Sequence, residues 1–152
     1  MSSAPGPEAP FRPRRARAVG LVCAALLLLV MLVVSVLLSR SPDSGWTGVD
    51  TASALVFTAL VSGVLVRLVS VRALPTADAL VVRNVVFTRR VDWGAVVAVR
   101  FGSADPWLTL DTDDGDNVPV MAVQRADGEF AHREARRLAR MVQERTGRAP
   151  AA

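Results

Sequence analysis

The sequence lacks lysine, isoleucine and tyrosine, and its 152 residues include one cysteine and one histidine. With Cys23 alone, no disulfide can form within the chain and no cysteine-based metal site can be built. With His132 as the single histidine, a zinc site and a Ser-His-Asp triad lack their parts. No Gly-rich phosphate-binding loop is present either. The sequence therefore predicts no catalytic residue, no metal ligand and no cofactor, and we expect a protein that is not an enzyme.

The basic residues are all arginine, eighteen of them, and the net charge is +4. Arginine without lysine is a bias typical of GC-rich genomes, and it predicts an actinobacterial source. Residues 72–152 hold twelve arginines against eleven acidic residues, which leaves a net charge of +1. Nucleic-acid-binding domains concentrate positive charge. This near-neutral balance therefore predicts no nucleic-acid partner.

A run of 22 residues without a formal charge, residues 18–39, is the strongest signal in the sequence. It exceeds the roughly 20 residues that a helix needs to cross the hydrocarbon of a bilayer. The run is too long for the apolar region of a signal peptide, and no A-x-A cleavage site follows it. We therefore predict a retained transmembrane helix over residues 18–39.

A second apolar run covers residues 51–71 and predicts a second transmembrane helix. Its single charge, Arg67, lies near one end, where a long side chain can reach the interface; a transport role is the alternative. Small residues four apart, Gly20 with Ala24 and Ala59 with Gly63, would allow close helix contact. Residues 40–50 between the runs are rich in turn-forming residues and predict an external loop.

The arginines flanking these runs predict the orientation of the hairpin. Residues 1–17 carry four arginines and four prolines, which predicts a disordered basic tail. The loop carries Arg40 alone, whereas Arg67 and Arg72 lie at the far end of the second run. The positive-inside rule then places both termini in the cytoplasm, in a multi-pass protein of the plasma membrane.

After residue 72 the pattern changes to short strands rich in β-branched residues. Residues 83 and 84 suggest a tight turn, after which period-2 counting places Phe87, Val91 and Trp93 on one face. Pro119 lies in the last predicted strand, which argues for a sheet edge or a bulge. The predicted strands occupy residues 79–83, 85–93, 95–101, 106–112 and 117–123. The candidate structural aromatics are Trp93, Trp107, Phe87 and Phe101, of which the two tryptophans could alternatively dock a partner.

The last element predicted is an amphipathic helix over residues 128–146, with Asp127 as its N-cap and Gly147 as its end. Helical spacing places an apolar face on one side, and Arg133, Arg136, Arg137 and Arg140 on the other. With Arg89 and Arg90 in the second strand, these arginines are the candidate lipid or partner contacts. The alternative is a solvated helix face.

Residues 111–117, DTDDGDN, suggest a calcium loop because hard cations favour clustered carboxylates. Aligning the invariant glycine of an EF-hand loop on Gly115 places Leu110 and Thr112 at ligand positions 1 and 3, so the pattern fails. Asp and Gly dominate solvated hairpin turns for their own reasons. We therefore predict a turn at residues 113–116.

Two spans followed by short strands and an amphipathic helix resemble the bacterial PH-domain membrane proteins, in particular the actinobacterial family typified by the low-molecular-weight protein antigen 6. The residues that carry the resemblance are 80–84, 89–93, 106–107, 114–115, 123–124 and 127–128. The resemblance implies a two-helix transmembrane hairpin followed by a small α+β PH-like domain over residues 72–147, a bent β-barrel or sheet capped by the helix, with a short tail at 148–152. It covers about residues 18–146 and implies no catalytic site.

These features predict a non-enzymatic, membrane-anchored interaction module at the inner face of the plasma membrane, which docks a protein partner. The alternative is sensing of anionic lipid through the basic face of the last helix. A further alternative is that the chain is the partner subunit of a larger enzyme or transporter. The expected partners are the lipid bilayer and another protein. Whether the chain also forms a homo-oligomer is left open by the sequence.

Overall fold

The computed structural model describes residues 9–147 and divides the chain into two compact units. One unit is formed by residues 17–69, and the other combines the residues up to Ala16 with those from Ser70 onward. The first unit contains two long apolar helices. The second contains two three-stranded antiparallel sheets and a C-terminal helix. The predicted fold class is confirmed, and the second unit is consistent with a PH-like domain.

The two apolar helices are α1 (Arg15–Ser39) and α2 (Gly48–Leu68), and both are long and apolar enough to cross a membrane. Helix α2 begins at Gly48 rather than at the predicted residue 51, because Thr47 and Asp50 form a capping box. Asp50 accepts from the Thr47 backbone N–H, and the Thr47 hydroxyl accepts from the Asp50 backbone N–H. Such reciprocal bonds satisfy two backbone donors that a helix start otherwise leaves free.

Small residues lie where α1 and α2 pack within their unit. Ala24, Ser35, Thr58 and Ser62 are buried. A Cβ atom at Gly20 would collide with the side chain of Val69. The predicted close approach therefore involves Gly20 and Ala24 of α1, whereas the other predicted pair, Ala59 and Gly63, is exposed.

The six strands of the second unit form two sheets in the orders β1-β2-β3 and β4-β5-β6. The strand β1, which the sequence analysis missed, pairs with β2, and a bulge interrupts the pairing of β4 with β5. The strand bounds are β1 (Arg72–Pro75), β2 (Ala79–Arg83), β3 (Thr88–Asp92), β4 (Val96–Arg100), β5 (Trp107–Thr112) and β6 (Asn117–Gln124). Pro119 lies in β6, an edge strand as predicted.

Helix α3 (Glu129–Thr146) covers the core of this unit with its apolar face. The apolar face that helical spacing predicts is buried, and it consists of Ala131, Ala135, Leu138, Met141 and Val142. The helix ends at Gly147, whose φ of 66° lies in the left-handed region that glycine adopts without a Cβ penalty. The core that it covers includes Leu80, Val82, Trp93, Leu108, Leu110 and Val120.

The prediction of a disordered tail over residues 1–17 is wrong for residues 9–17. Residues 9–16, here called the N-terminal strap, pack into the second unit, and α1 begins at Arg15. Phe11 is 0% exposed and forms an isolated bridge with Ala73 of β1, through Phe11 N–H to Ala73 O (2.8 Å) and Ala73 N–H to Phe11 O (3.1 Å). Burial of the apolar Phe11 ring stabilises this segment in the folded unit, although its proline content is typical of disordered chain. Residues 1–8 and the predicted tail at 148–152 lie outside the described residues.

The prediction that Asp127 caps α3 is also wrong. The N-cap position is Gly128, and no side chain caps that helix. The Asp127 carboxylate accepts hydrogen bonds from the backbone N–H groups of Arg14 (2.9 Å) and Arg15 (2.7 Å), at the first residues of α1. Asp127 is buried, and a buried carboxylate needs such donors. It therefore secures the N-terminal strap instead of its own helix.

The turn between β2 and β3 differs from the predicted pair at residues 83 and 84. It spans residues 84–87, and the backbone N–H of Asn84 donates to the carbonyl of Phe87 (2.9 Å). Val86 and Phe87 are 72% and 76% exposed. Phe87 is thus not a structural aromatic on the buried face, because the alternation of β3 begins only at Thr88.

We expect Phe11→Ala to lower the free energy of unfolding of the second unit by about 3–5 kcal/mol, the usual cost of deleting a buried phenyl ring. The measurement is urea unfolding of the full chain in detergent, with tryptophan fluorescence as the signal that monitors unfolding.

The matched control is Phe87→Ala, which removes the same atoms from an exposed site and should change the stability by about 0.5 kcal/mol or less. Equal effects of the two substitutions would show that the strap does not belong to the folded unit.

Candidate functional site

A groove of about 490 Å³ lies between the end of β4 and the exposed flank of α3. The strand β4 is the first in its sheet, so one of its edges has no neighbouring strand in the order β4-β5-β6. The groove is lined by Val99, Arg100, Phe101, Gly102, Asp105, His132, Ala135, Arg136 and Ala139. Its volume lies within the range of roughly 300–1,000 Å³ that is usual for ligand pockets.

The floor of the groove is apolar because of what each element presents there. Helix α3 contributes Ala135 and Ala139, which are one helical turn apart and leave room above the helix. The sheet side contributes Val99 and Phe101, both packed against the core. The ring of Phe101 meets that of His132 edge to face, with 5.3 Å between the centroids. The floor of the groove is therefore formed by apolar side chains of α3 and of the sheet side together.

The charged groups at the rim differ in whether the domain already pairs them. Arg100 donates to Asp111 (2.7 Å) and to Asn117 (2.8 Å). Asp105 accepts from the backbone N–H of Gly102 (3.0 Å). Arg136 makes no ion pair with any residue in the described range. It is therefore the guanidinium at this groove that is left for an external anion.

The predicted basic face of α3 is present in part. Arg133, Arg136 and Arg140 are exposed, and no ion pair holds them within residues 9–147. We call these three the basic face. Arg133 and Arg140 lie on either side of Arg136 at helical spacing, so the basic face continues along the rim of the groove.

Arg137 was predicted on the same face, and this is wrong. Its side chain is 11% exposed and pairs with Glu134 (2.8 Å), whose side chain is 8% exposed. The guanidinium lies 3.9 Å from the ring centroid of Phe11 and donates to the carbonyl of Ala9 (3.0 Å). Arg137 therefore holds the N-terminal strap, and it is not available to a lipid or a partner.

The other two candidate arginines, Arg89 and Arg90, belong to β3. Arg89 pairs with Asp114 (3.3 Å) and Asp116 (2.7 Å), and Arg90 pairs with Asp92 (3.3 Å). All of these side chains are largely exposed, so water and salt screen each pair and it contributes little to stability. The six predicted arginines thus divide among three different surroundings.

The predicted aromatics also differ in their surroundings. Trp93 is buried in the core, where its indole N–H donates to the carbonyl of Thr76 (3.0 Å) and Arg145 lies over its ring. Trp107 is half-buried in β5. Phe101 is the one that lines the groove, a role that the sequence analysis missed. The sequence feature that could have indicated this role is the pair of small residues, Ala135 and Ala139, that α3 contributes to the same groove as Phe101.

The acidic turn, residues 113–116, joins β5 to β6 as predicted. Gly115 has a φ of 84°, and its N–H donates to the carbonyl of Thr112 (2.9 Å). The Thr112 hydroxyl, the backbone N–H of Asp116 and the Arg89 guanidinium hold the pKa of Asp114 below its usual value of 3.8. Within residues 9–147 no group of three or more His, Cys, Asp or Glu side chains is arranged to hold a metal ion.

Comparison with known proteins gives one family match. Residues 69–140, from the end of α2 into α3, match the family model described as a bacterial PH domain. Three uncharacterized mycobacterial proteins are also similar, among them Rv1417 of Mycobacterium tuberculosis and Mb1452 of Mycobacterium bovis. Each is 38% identical over 50 residues, which is 33% of this chain and 32% of the relative. The chain thus matches about a third of the length of these relatives.

No solved structure matches the chain. The narrower resemblance, to the antigen 6 family, stays a prediction. The family match suggests a non-catalytic module, and the mycobacterial relatives are consistent with the predicted actinobacterial source without establishing it.

Proposed function

We propose that this chain is a membrane-tethered docking module. In this proposal α1 and α2 anchor it in the bilayer, and the PH-like domain binds an extended segment of a protein partner in the groove between β4 and α3. The observation that carries the proposal is the apolar floor of that groove beside a strand edge and an unpaired Arg136. The match to a bacterial PH domain, which suggests a non-catalytic module, agrees with this reading.

The proposal of a membrane anchor is supported by the apolar surface of the two helices. Large apolar side chains are exposed along the whole of α1 and α2, among them Leu29, Leu37, Phe57 and Leu60. Exposing such a surface to water costs about 25 cal/mol per Å², whereas lipid removes that cost. Small and polar residues lie between the helices instead, as is common where transmembrane helices meet.

The orientation rests on the arginine distribution. Arg12, Arg14, Arg15 and Arg17 precede the first span, Arg40 lies in the loop, and Arg67 and Arg72 flank the end of the second. Because cytoplasmic flanks carry the excess of arginine, both termini and the PH-like domain would lie in the cytoplasm.

We expect alkaline phosphatase fused after Gly45, in the loop between the spans, to be active in a Gram-negative host, since the enzyme folds only outside the cytoplasm. The same reporter fused to the C-terminus should be inactive. Green fluorescent protein at the same two sites should give the opposite pattern. A fluorescent fusion at Gly45 together with an active phosphatase at the C-terminus would contradict the proposed orientation.

Two properties of the groove suit the binding of an extended peptide segment. A free strand edge offers backbone hydrogen bonds, and pockets beside it accept alternate side chains. The unpaired Arg136 at the rim favours a carboxylate in that segment, because ionised hydrogen bonds are about twice as strong as neutral ones.

We expect Ala139→Trp to fill the groove and to lower docking about tenfold, the effect of losing about 1.4 kcal/mol. The measurement is the yield of adducts from a photo-crosslinking amino acid placed at Val97 of β4, in cells that express the full chain. Ala77→Trp, at an exposed position in the turn between β1 and β2 that does not line the groove, is the matched control. Adducts that are equally abundant in both variants would overturn the groove as the docking site.

A second candidate function, sensing of anionic lipid, is favoured by the basic face. Arg133, Arg136 and Arg140 are exposed along one side of α3 without ion pairs in the described chain. Near an anionic membrane surface each such arginine contributes about 1 kcal/mol.

If the basic face touches lipid, α3 should exchange its amide hydrogens more slowly in nanodiscs containing phosphatidylglycerol than in phosphatidylcholine nanodiscs, and added salt should remove the difference. Arg133→Glu with Arg140→Glu should abolish it, while leaving Arg136 in place for docking. Arg90→Glu with Arg125→Glu, two exposed positions outside the basic face, is the charge-matched control. Identical exchange in both lipids would exclude the lipid function.

A further inference from the structure

Four arginines are half-buried among the described residues of the PH-like unit, and they differ in whether they have a partner. Arg137 and Arg145 donate to carbonyl or carboxylate oxygens of the unit. Arg72 of β1 and Arg83 of β2 have neither an ion pair nor a side-chain hydrogen bond within residues 9–147. The Nε atom of Arg72 is buried without an acceptor. A buried donor that lacks an acceptor is costly, and it points to a ligand that would supply one.

Arg72 and Arg83 lie directly opposite one another in the antiparallel pairing of β1 with β2. The next pair along these strands, Ala73 with Val82, is buried in the core. Because side chains alternate along a strand, Arg72 and Arg83 lie on the outer face of this sheet. Like charges placed directly opposite in a sheet are destabilising. The sheet therefore brings two positive charges together at a position where the described chain provides no anion.

The N-terminal strap adds a third arginine. Phe11 forms an antiparallel bridge with Ala73, so the next residue of the strap, Arg12, lies opposite Arg72. Both neighbours of Arg12 in the strap are buried, whereas Arg12 is exposed, which places it on the outer face as well. No ion pair or side-chain hydrogen bond holds Arg12 in the described chain. We call Arg12, Arg72 and Arg83 the arginine row.

The chemistry of the arginine row favours a phosphate group. Each guanidinium presents several N–H donors in a planar fork, a geometry that matches phosphate oxygens. A carboxylate has two oxygens for three such groups, whereas a phosphate has more oxygens to share among them. The residues that border the row on the outer face carry no charge, namely Leu74, Val81 and Thr88. The described neighbours in the sheet therefore leave the positive charge of the row for an external anion.

The position of the row in the sequence indicates where the phosphate would come from. Arg12 precedes the first residue of α1, Arg15, by three positions, and Arg72 follows the last residue of α2, Leu68, by four. An extended chain spans at most about 3.6 Å per residue, so each arginine is tethered within about 15 Å of the end of an apolar helix. Lipid headgroups lie just beyond the hydrocarbon that such helices cross.

We propose that the arginine row binds a phosphate group. A phospholipid headgroup is the nearest source if α1 and α2 anchor the chain as proposed above, and free phosphate is the other source. The bound phosphate offsets the repulsion between Arg72 and Arg83 and gives the Nε atom of Arg72 an acceptor. This site shares no residue with the basic face of α3, and it does not depend on docking in the groove.

Thermal unfolding of the full chain in dodecyl maltoside, monitored by tryptophan fluorescence, tests the site. One arm is titrated with dihexanoylphosphatidylglycerol and the other with sodium phosphate, with sodium chloride of equal ionic strength as the salt control. We expect the unfolding temperature to rise with the ligand, because a ligand that binds the folded chain stabilises it. Arg83→Gln should weaken the apparent affinity by at least about tenfold, the effect of losing one charged hydrogen bond. Arg125→Gln, which removes the same charge from an exposed position outside the row, should keep the affinity of the unsubstituted chain.

The stability of the variants without ligand separates a binding role from a structural one. In phosphate-free buffer, Arg83→Gln should unfold at the same temperature as the unsubstituted chain or at a higher one, because the substitution removes a like charge opposite Arg72. Arg72→Gln should behave in the same way. An arginine with a purely structural role would instead lose stability with and without the ligand.

The two arms distinguish the sources of the phosphate. A response to phosphatidylglycerol that Arg83→Gln weakens supports a lipid headgroup at the row, and such a response to inorganic phosphate alone supports a soluble source. No response in either arm, a response unchanged in both row variants, or one weakened equally by Arg125→Gln would overturn the proposal. Ala139→Trp, which fills the groove, should change neither response, so a failure of the docking function and a failure of the phosphate site are told apart.

Discussion

The fold of the PH-like unit depends on residues that precede the apolar helices. Phe11 fills a buried position against β1, and Arg137 stacks on its ring while pairing with Glu134. The buried carboxylate of Asp127 is satisfied by the N–H groups of Arg14 and Arg15. The unit is therefore assembled from two separate stretches of the chain, and the hairpin of α1 and α2 is inserted between them.

This arrangement constrains what a fragment of the chain can do. A piece that begins at residue 72 contains all six strands and α3, but it leaves the buried carboxylate of Asp127 without the N–H groups of Arg14 and Arg15. It also removes the Ala9 carbonyl and the Phe11 ring from Arg137. An unpaired buried charge costs several kcal/mol, which is a large fraction of the stability of a small domain. Folding of the PH-like unit therefore depends on residues 9–16, which precede the two apolar helices in the chain.

Much of the fold follows from local patterns in the sequence, and the parts that do not are long-range. The length of the apolar runs, the apolar spacing of α3, Gly147 and the acidic turn all express properties of neighbouring residues. Asp127 and Arg137 were misplaced because their partners, Arg14, Arg15 and Phe11, are more than a hundred residues away. Local rules assign a capping carboxylate to the nearest helix and an arginine to the nearest solvated face. The groove could not be predicted either, since it depends on how two alanines of α3 face Phe101.

The four edges of the two sheets differ in the residues that lie at them. An exposed edge offers unpaired backbone groups, and proteins usually block it. The edge at β1 is covered by the bridge from Phe11, and the edge at β6 is occupied by the side chain of Asn84 and interrupted by Pro119. The edge at β3 carries Arg89, Arg90 and Asp92, whose exposed charges disfavour strand addition. The edge at β4 has a bulge in its pairing with β5 and the exposed Arg100 at its end, and the apolar groove adjoins that end of the strand. Because β4 is the first strand in the order β4-β5-β6, the groove lies beside a strand edge that pairs with no other strand of the described chain.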